Sequence, residues 1–126
     1  MASELSLLAL ELWGSLWVVL LTCSPGPFVS VYAGWQWHVE WAIHLVAIVA
    51  ADYFCGGPHV NPAATVAFCA WGQSSLASTS ARVAGQMIGG VVGYTLLRAA
   101  VEHFGLPFLG PAIAEGTTLG AALASE

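Results

Sequence analysis

The sequence predicts an all-α membrane protein with three transmembrane helices and one re-entrant half-helix. Of its 126 residues, 58% are apolar and 7% are charged, and the mean hydropathy is +0.79. Soluble domains carry about 25% charged residues. Two long stretches have no formal charge: 28 residues between Glu11 and Glu40, and 29 between Asp52 and Arg82. Because a membrane helix needs about 20 residues, a chain of 126 has room for three or four spans.

The charged residues also argue against several classes of protein. The net charge of -5 comes from seven acidic residues against Arg82 and Arg98, with no lysine. Without a basic patch, nucleic acid is not an expected partner. So few charged side chains argue against a cytosolic enzyme. The three cysteines have no paired spacing and apolar neighbours, which predicts small buried residues with no metal and no cofactor.

The first apolar segment, residues 5–23, is expected to form the first span. Ser24-Pro25-Gly26-Pro27 follows it, and two prolines end a helix. A signal peptide is the alternative for an apolar N-terminal segment. However, Glu4 stands where a signal peptide has positive residues, and Glu11 interrupts the apolar run. These acidic residues favour a true span.

The second and third spans are predicted over residues 37–55 and 82–101. Trp35, Trp37 and Trp41 cluster at the start of the second span, as tryptophans do at a membrane interface. In the third span, glycines recur at every fourth position and form a face that lets another helix approach closely. These glycines are Gly85, Gly89 and Gly93. We expect them to serve helix packing, against helices that this chain lacks.

A short apolar stretch between these two spans predicts a re-entrant half-helix over residues 61–71. It is too short to cross a bilayer, and Gly56-Gly57-Pro58 precedes it. Irregular backbone within a membrane must be buried in protein or line a cavity. Asn61 is a good N-cap, and Pro62 fits the first helical position. Such a half-helix would point its free N–H groups into a pore or binding site.

The residues Gly57-Pro58-His59-Val60-Asn61-Pro62-Ala63-Ala64-Thr65-Val66-Ala67 resemble the first Asn-Pro-Ala box of the aquaporin, or major intrinsic protein, family. Three further residues extend the resemblance over nearly the whole chain. Glu11 is similar to the family's first-helix glutamate. Gln86, 25 residues after Asn61, is similar to the glutamine of the third helix. Trp41 falls where the family places the second-helix residue of its aromatic constriction.

This sequence departs from the family pattern in three respects. Ala64 replaces a larger aliphatic residue, and Pro58 before the histidine is less common. Asn61 is the only asparagine, so there is no second box, and no arginine follows one. Residues 119–126 resemble the opening of the first span. The resemblance therefore implies one inverted repeat, the N-terminal half of a channel, with residues 1–126 as a single membrane domain.

The resemblance implies that Asn61, Pro62, Ala63, His59 and Trp41 line the pore. The Asn61 backbone would start the half-helix, while its side-chain amide donates a hydrogen bond to passing water. Each role has a structural alternative. Asn61 could be only a helix cap, His59 a neutral histidine bonded to a backbone carbonyl, and Trp41 an interfacial tryptophan. A tryptophan at position 41 is similar to the glycerol-conducting branch of the family.

Glu11 and Gln86 are expected to brace the re-entrant loop. A charged residue in the bilayer costs about 2.5–3.5 kcal/mol, so Glu11 should face protein or water and be paired. The resemblance implies that it accepts hydrogen bonds from the loop backbone and that Gln86 lies against the same loop.

The expected function is passive passage of water or small neutral solutes such as glycerol through a multi-pass integral membrane protein. The expected partners are the lipid bilayer and either further copies of the chain or a missing second repeat. With so few arginines to set orientation, two copies inserted in opposite directions are also possible. One alternative is an incomplete, non-conducting fragment. Another is a proton or metal carrier that uses His38, Glu40, His44, Asp52 and His59.

Overall fold

A computed structural model describes residues 3–23, 37–106 and 118 of the chain. Four helices occupy this part: α1 (Glu4–Cys23), α2 (Trp37–Cys55), α3 (Pro62–Ala70) and α4 (Leu76–His103). The described residues contain no strand, so the all-helical prediction is confirmed for them. Three predictions lie outside these residues: the stop at 24–27, the position of Trp35, and the likeness of 119–126 to the first span.

The four helices differ in length. At 1.5 Å per residue, α1 and α2 extend about 30 and 28 Å, α3 about 14 Å and α4 about 42 Å. Among the described helices, α1 alone is both long and apolar enough to cross a membrane, by length and composition. The apolar part of α2, Trp41–Cys55, is shorter. Large apolar side chains nevertheless lie exposed along both α2 and α4.

Helices α1 and α4 form the most extensive packing in the described structure. They run parallel, because successive glycines of α4 face successively later residues of α1. A Cβ atom on Gly85 would collide with the carbonyl oxygen of Leu8, and one on Gly89 with that of Leu12. The Cβ position on Gly93 lies 3.0 Å from the Leu16 carbonyl oxygen. The glycine face thus lets the two backbones touch. The expectation that these glycines face helices absent from this chain is wrong, because α1 covers them.

Helix α4 begins six residues earlier than the predicted span. The Ser75 hydroxyl caps it by accepting a hydrogen bond from the Ser78 N–H at 3.1 Å. A serine N-cap satisfies one of the N–H groups left free at a helix start. Arg82, predicted to open the span, therefore lies nearly two turns inside the helix. The C-terminal end also extends beyond the prediction, to His103.

A tight connection links α2 to α3. Gly56 and Gly57 have positive φ angles of 81° and 74°, which glycine adopts without steric cost. Val60 has φ of 44°, an unusual value for a β-branched residue. The chain then enters α3 at Asn61, and α3 packs on α4. This sequence of turns brings the start of α3 close to the middle of α1.

Candidate functional site

Asn61 caps helix α3. Its Oδ1 atom accepts hydrogen bonds from the N–H groups of Ala63 at 2.9 Å and Ala64 at 3.2 Å, and Pro62 occupies the first helical turn. The N-cap predicted at Asn61 is confirmed. Because Oδ1 is used in capping, the Nδ2 group, with two N–H donors, is the end of the side chain that remains available. Asn61, Pro62 and Ala63 are all exposed.

The carboxylate of Glu11 is completely buried, with 0% exposure, and four donors converge on it. Oε1 accepts from the His59 N–H at 2.8 Å and from the Arg82 guanidinium. Oε2 accepts from the Val60 N–H and from Gln86 Nε2, each at 2.9 Å. Two oxygens offer about four lone pairs, so this set saturates the carboxylate. Glu11 thus joins α1, α4 and the loop before α3.

Arg82 is the residue of this cluster that the sequence analysis did not identify. It forms an ion pair with Glu11 although 71 positions separate them in the chain. Its side chain is 16% exposed, so the pair is largely shielded from solvent. One signal could have indicated it: a buried carboxylate requires a partner, and the described helices carry only two arginines. The other, Arg98, pairs with Glu102 on the surface of α4.

Thr65 connects helix α3 to this cluster. Its side chain is 0% exposed, and Oγ1 donates to the Asn61 carbonyl at 2.9 Å. The same oxygen accepts from Gln86 Nε2 at 2.9 Å and lies 3.1 Å from His59 Nδ1. Gln86 therefore donates to both Glu11 and Thr65. Its Oε1 atom is buried and has no hydrogen-bond partner among the described residues.

The loop before α3 is also held by packing. Pro58 is buried, and its ring lies where a side chain on Gly14 would be. Val60 Cγ1 lies 3.1 Å from the position that a Cβ atom on Gly14 would occupy. Gly14 follows Glu11 by nearly one helical turn, so the face of α1 that binds the loop N–H groups also receives its side chains. Pro58 is unusual at this position of the motif, but no sequence pattern indicates Gly14 as its partner.

His59 borders a polar cavity of about 810 Å³. The cavity lies beside the N-terminal ends of α1 and α4, and Arg82 and Ser78 also line it. The ring packs on Phe68 with a centroid distance of 5.0 Å. His59 belongs to the loop between α2 and α3. Burial lowers the pKa of this imidazole below its ordinary value, and the positive charge of Arg82 lowers it further. The neutral form is therefore favoured at pH 7.

Trp41 lies apart from this cluster. It is 70% exposed and stands near the start of α2. Fourteen residues, or about 21 Å of helix, separate it from Cys55, where α2 ends and the loop begins. Gln86, His59 and Asn61 thus meet at Thr65, and Gln86 and His59 also bind Glu11. Trp41 is remote from this group. Within the described residues, no three His, Cys, Asp or Glu side chains are grouped as a metal site.

A comparison with protein families gives one match. The model of the family described as major intrinsic protein matches residues 11–126. No curated protein and no solved structure matches the chain. The matched residues include the whole of the cluster around Glu11, the capped helix α3 and α4.

Proposed function

Because the chain belongs to the major intrinsic protein family, we propose that it conducts water or small neutral solutes such as glycerol. Members of this family are integral membrane channels for water or small solutes and are not enzymes. The observation that carries this proposal is the capped start of α3. Asn61 at this start is exposed and offers N–H donors. Buried contacts of Thr65 and of the preceding loop hold it in place.

In this proposal the chain is one membrane domain over residues 1–126, with α1, α2 and α4 as spans and α3 as the re-entrant half-helix. The lengths of about 30, 28 and 42 Å suit a hydrocarbon core of about 30 Å. At about 14 Å, α3 reaches only halfway. The exposed apolar side chains of α2 and α4 are suited to contact with lipid or with further helices.

Asn61 is proposed as the selective group at the tip. Capping leaves Nδ2 to donate to the oxygen of a passing water or hydroxyl group. The positive end of the helix dipole adds an electrostatic barrier to cations, which would lose hydration here without replacement. A neutral molecule does not meet this barrier. Pro62 and Ala63 would form the adjoining wall, because both are exposed beside Asn61.

Glu11 and Gln86 are proposed to brace the half-helix, and Arg82 joins them. Four donors from two segments, the loop before α3 and helix α4, meet on the Glu11 carboxylate, which fixes the loop relative to α1 and α4. A saturated carboxylate has no free lone pair with which to relay protons. This arrangement supports a structural role for Glu11.

His59 is proposed to line one side of the passage, where it borders the polar cavity. Trp41 would narrow the passage at a different level, about 21 Å of helix away from the end of α2. If its indole forms an apolar wall there, glycerol is favoured as a solute beside water. A second half-helix facing Asn61, from a further repeat or from another copy of the chain, would complete the passage.

Osmotic swelling of proteoliposomes containing the full chain tests this function. Aspartate caps a helix about as well as asparagine, so Asn61→Asp keeps the fold while replacing the Nδ2 donor with an anionic oxygen. We expect the wild type to raise water or glycerol permeability above that of empty liposomes, and Asn61→Asp to remove much of this increase. Glu102→Gln, which alters an exposed surface ion pair, is the matched control.

Two results would count against the proposal. Wild-type permeability equal to that of empty liposomes would contradict a channel. Equal permeability of Asn61→Asp and wild type would show that Asn61 does not line the passage.

A further inference from the structure

The Thr65 hydroxyl has three hydrogen-bonding neighbours, and their chemistry determines the direction of each bond. Gln86 Nε2 can only donate, and the Asn61 carbonyl oxygen can only accept. Both lie 2.9 Å from Thr65 Oγ1. The third neighbour, His59 Nδ1 at 3.1 Å, can do either, depending on the tautomer.

The orientation of the Gln86 amide is itself fixed. The group that faces Thr65 also faces Glu11 Oε2 at 2.9 Å. A carboxylate accepts hydrogen bonds and does not donate them, so this group must be the NH₂ and not the oxygen. Thr65 Oγ1 therefore accepts one hydrogen bond from Gln86.

The single Thr65 proton goes to the Asn61 carbonyl, the shorter contact and the neighbour that cannot donate. Oγ1 then has one lone pair left, and it faces His59 Nδ1. Two lone pairs facing each other would repel, so Nδ1 carries the proton and donates it to Thr65. The hydroxyl then has one bond donated and two accepted, its full capacity.

We propose that Thr65 is a positioning residue that holds neutral His59 in the Nδ1–H form, so that Nε2 is a hydrogen-bond acceptor facing the polar cavity. Two buried polar atoms among the described residues have no partner, Ser15 Oγ and Gln86 Oε1, and Nε2 is not one of them. No hydrogen bond to Nε2 occurs within that part of the chain, and the ring lines the cavity. Nε2 is therefore accessible to a molecule that donates a hydrogen bond.

The consequence for transport rests on the proposed function. The chain would present a hydrogen-bond acceptor at His59 Nε2 and, two residues later, a hydrogen-bond donor at Asn61 Nδ2. Water and polyols, which donate and accept through the same hydroxyl groups, match both. A solute that only accepts would match Asn61 alone. Thr65 would thus set the order of donors and acceptors along the passage without touching the solute.

The tautomer is measured directly by ¹⁵N NMR of histidine-labelled protein in lipid nanodiscs at pH 8. His59→Gln identifies the His59 signals among those of the four histidines. The expected wild-type spectrum has a protonated Nδ1 and an unprotonated Nε2 at His59. Thr65→Ser, which retains the hydroxyl, should keep this pattern. Thr65→Val, which has similar volume, should lose the Nδ1–H signal.

A wild-type spectrum with the proton on Nε2 would overturn the inference, and this measurement needs no variant to fold. A Thr65→Val protein that keeps the wild-type His59 pattern would also overturn the role of Thr65. Proteoliposome swelling with the same variants separates the two proposals. A retained Nδ1–H form in a protein without solute flux would support the tautomer and contradict the channel.

Discussion

The ring of Pro58 occupies the space that a side chain would need at Gly14, so the loop before α3 lies directly on the backbone of α1. A methyl group on Gly14 would overlap both Cβ and Cγ of the proline. This contact lies nearly one turn along α1 from the carboxylate that binds the next two N–H groups of the loop. Packing and hydrogen bonding therefore fix the same short segment.

Gly14→Ala should destabilise the protein, because the added methyl group displaces Pro58 from α1. Overpacking of this kind costs about 1–3 kcal/mol. In the double variant Gly14→Ala/Pro58→Gly, part of the loss should be recovered, since glycine removes both ring carbons that the methyl group would overlap. Unfolding in an SDS titration, followed by tryptophan fluorescence, measures all four proteins of this cycle. Strictly additive effects would contradict the contact.

Gly89→Ala and Gly90→Ala should differ in their effect on the stability of the folded protein. A Cβ on Gly89 would collide with the Leu12 carbonyl oxygen, whereas nothing lies within 4 Å of the Cβ position on Gly90. Alanine favours a helix over glycine by about 1 kcal/mol. We therefore expect Gly90→Ala to leave stability unchanged or raised and Gly89→Ala to lower it. Circular dichroism melting in detergent gives the comparison, and equal melting temperatures would rule out the close packing of α1 on α4.

Glu11→Gln should lower the free energy of unfolding by about 3–5 kcal/mol, the usual effect of breaking a buried ion pair. The amide keeps one oxygen and adds an NH₂ group, so donors that met the carboxylate now face another donor. Glu102→Gln makes the same chemical change in an exposed pair, where both side chains are more than 60% exposed. We expect no measurable decrease in the free energy of unfolding of Glu102→Gln. Hydrogen exchange at the His59 and Val60 amides should accelerate only in Glu11→Gln.

Val60→Gly should be more stable than Val60→Ala. Both variants remove the side chain that packs near Gly14, so their difference isolates the backbone, which has φ of 44° at this position. Glycine adopts a left-handed conformation freely, whereas other residues lose about 1–2 kcal/mol. The SDS titration should give a difference of that size. If the two variants prove equal in stability, Val60 is not strained.

Lowering the pH from 7.5 to 5.5 should destabilise the folded protein through His59. Its pKa in the folded state is below its ordinary value of about 6.5, so the unfolded state binds more protons in this range. Stability contributed by the neutral ring is complete above pH 6.5 and decreases as the pH falls through that value toward the lowered pKa. His59→Gln should show a weaker pH dependence. If the free energy of unfolding changes equally with pH in the wild type and in His59→Gln, His59 is not the cause of the pH dependence.

Local features of this chain could be predicted from the sequence. The Asn61-Pro62 pair indicated a helix start because capping depends on a few adjacent residues. The end of the first helix at Cys23 and the bounds of α2 followed from breakers and apolar runs.

Long-range features could not be predicted in the same way. The spacing of the glycines identified a packing face but not the helix that covers it, which is α1 of the same chain. Arg82 was interpreted as the boundary of a span because its partner, Glu11, is 71 residues away. Thr65 belongs to the motif, yet its hydrogen bond with Gln86 depends on how α3 packs on α4. These features require tertiary contacts that sequence patterns do not specify.

The distance along the chain between Glu11 and Arg82 has a consequence for biosynthesis. A ribosome that adds about 5–20 residues per second needs roughly 4–14 seconds to make the intervening segment. During that interval α1 has already emerged, with a carboxylate whose guanidinium partner has not been synthesised. Until α4 has been made, the Glu11 carboxylate must therefore be protonated or lie in a polar environment, such as that of the insertion machinery.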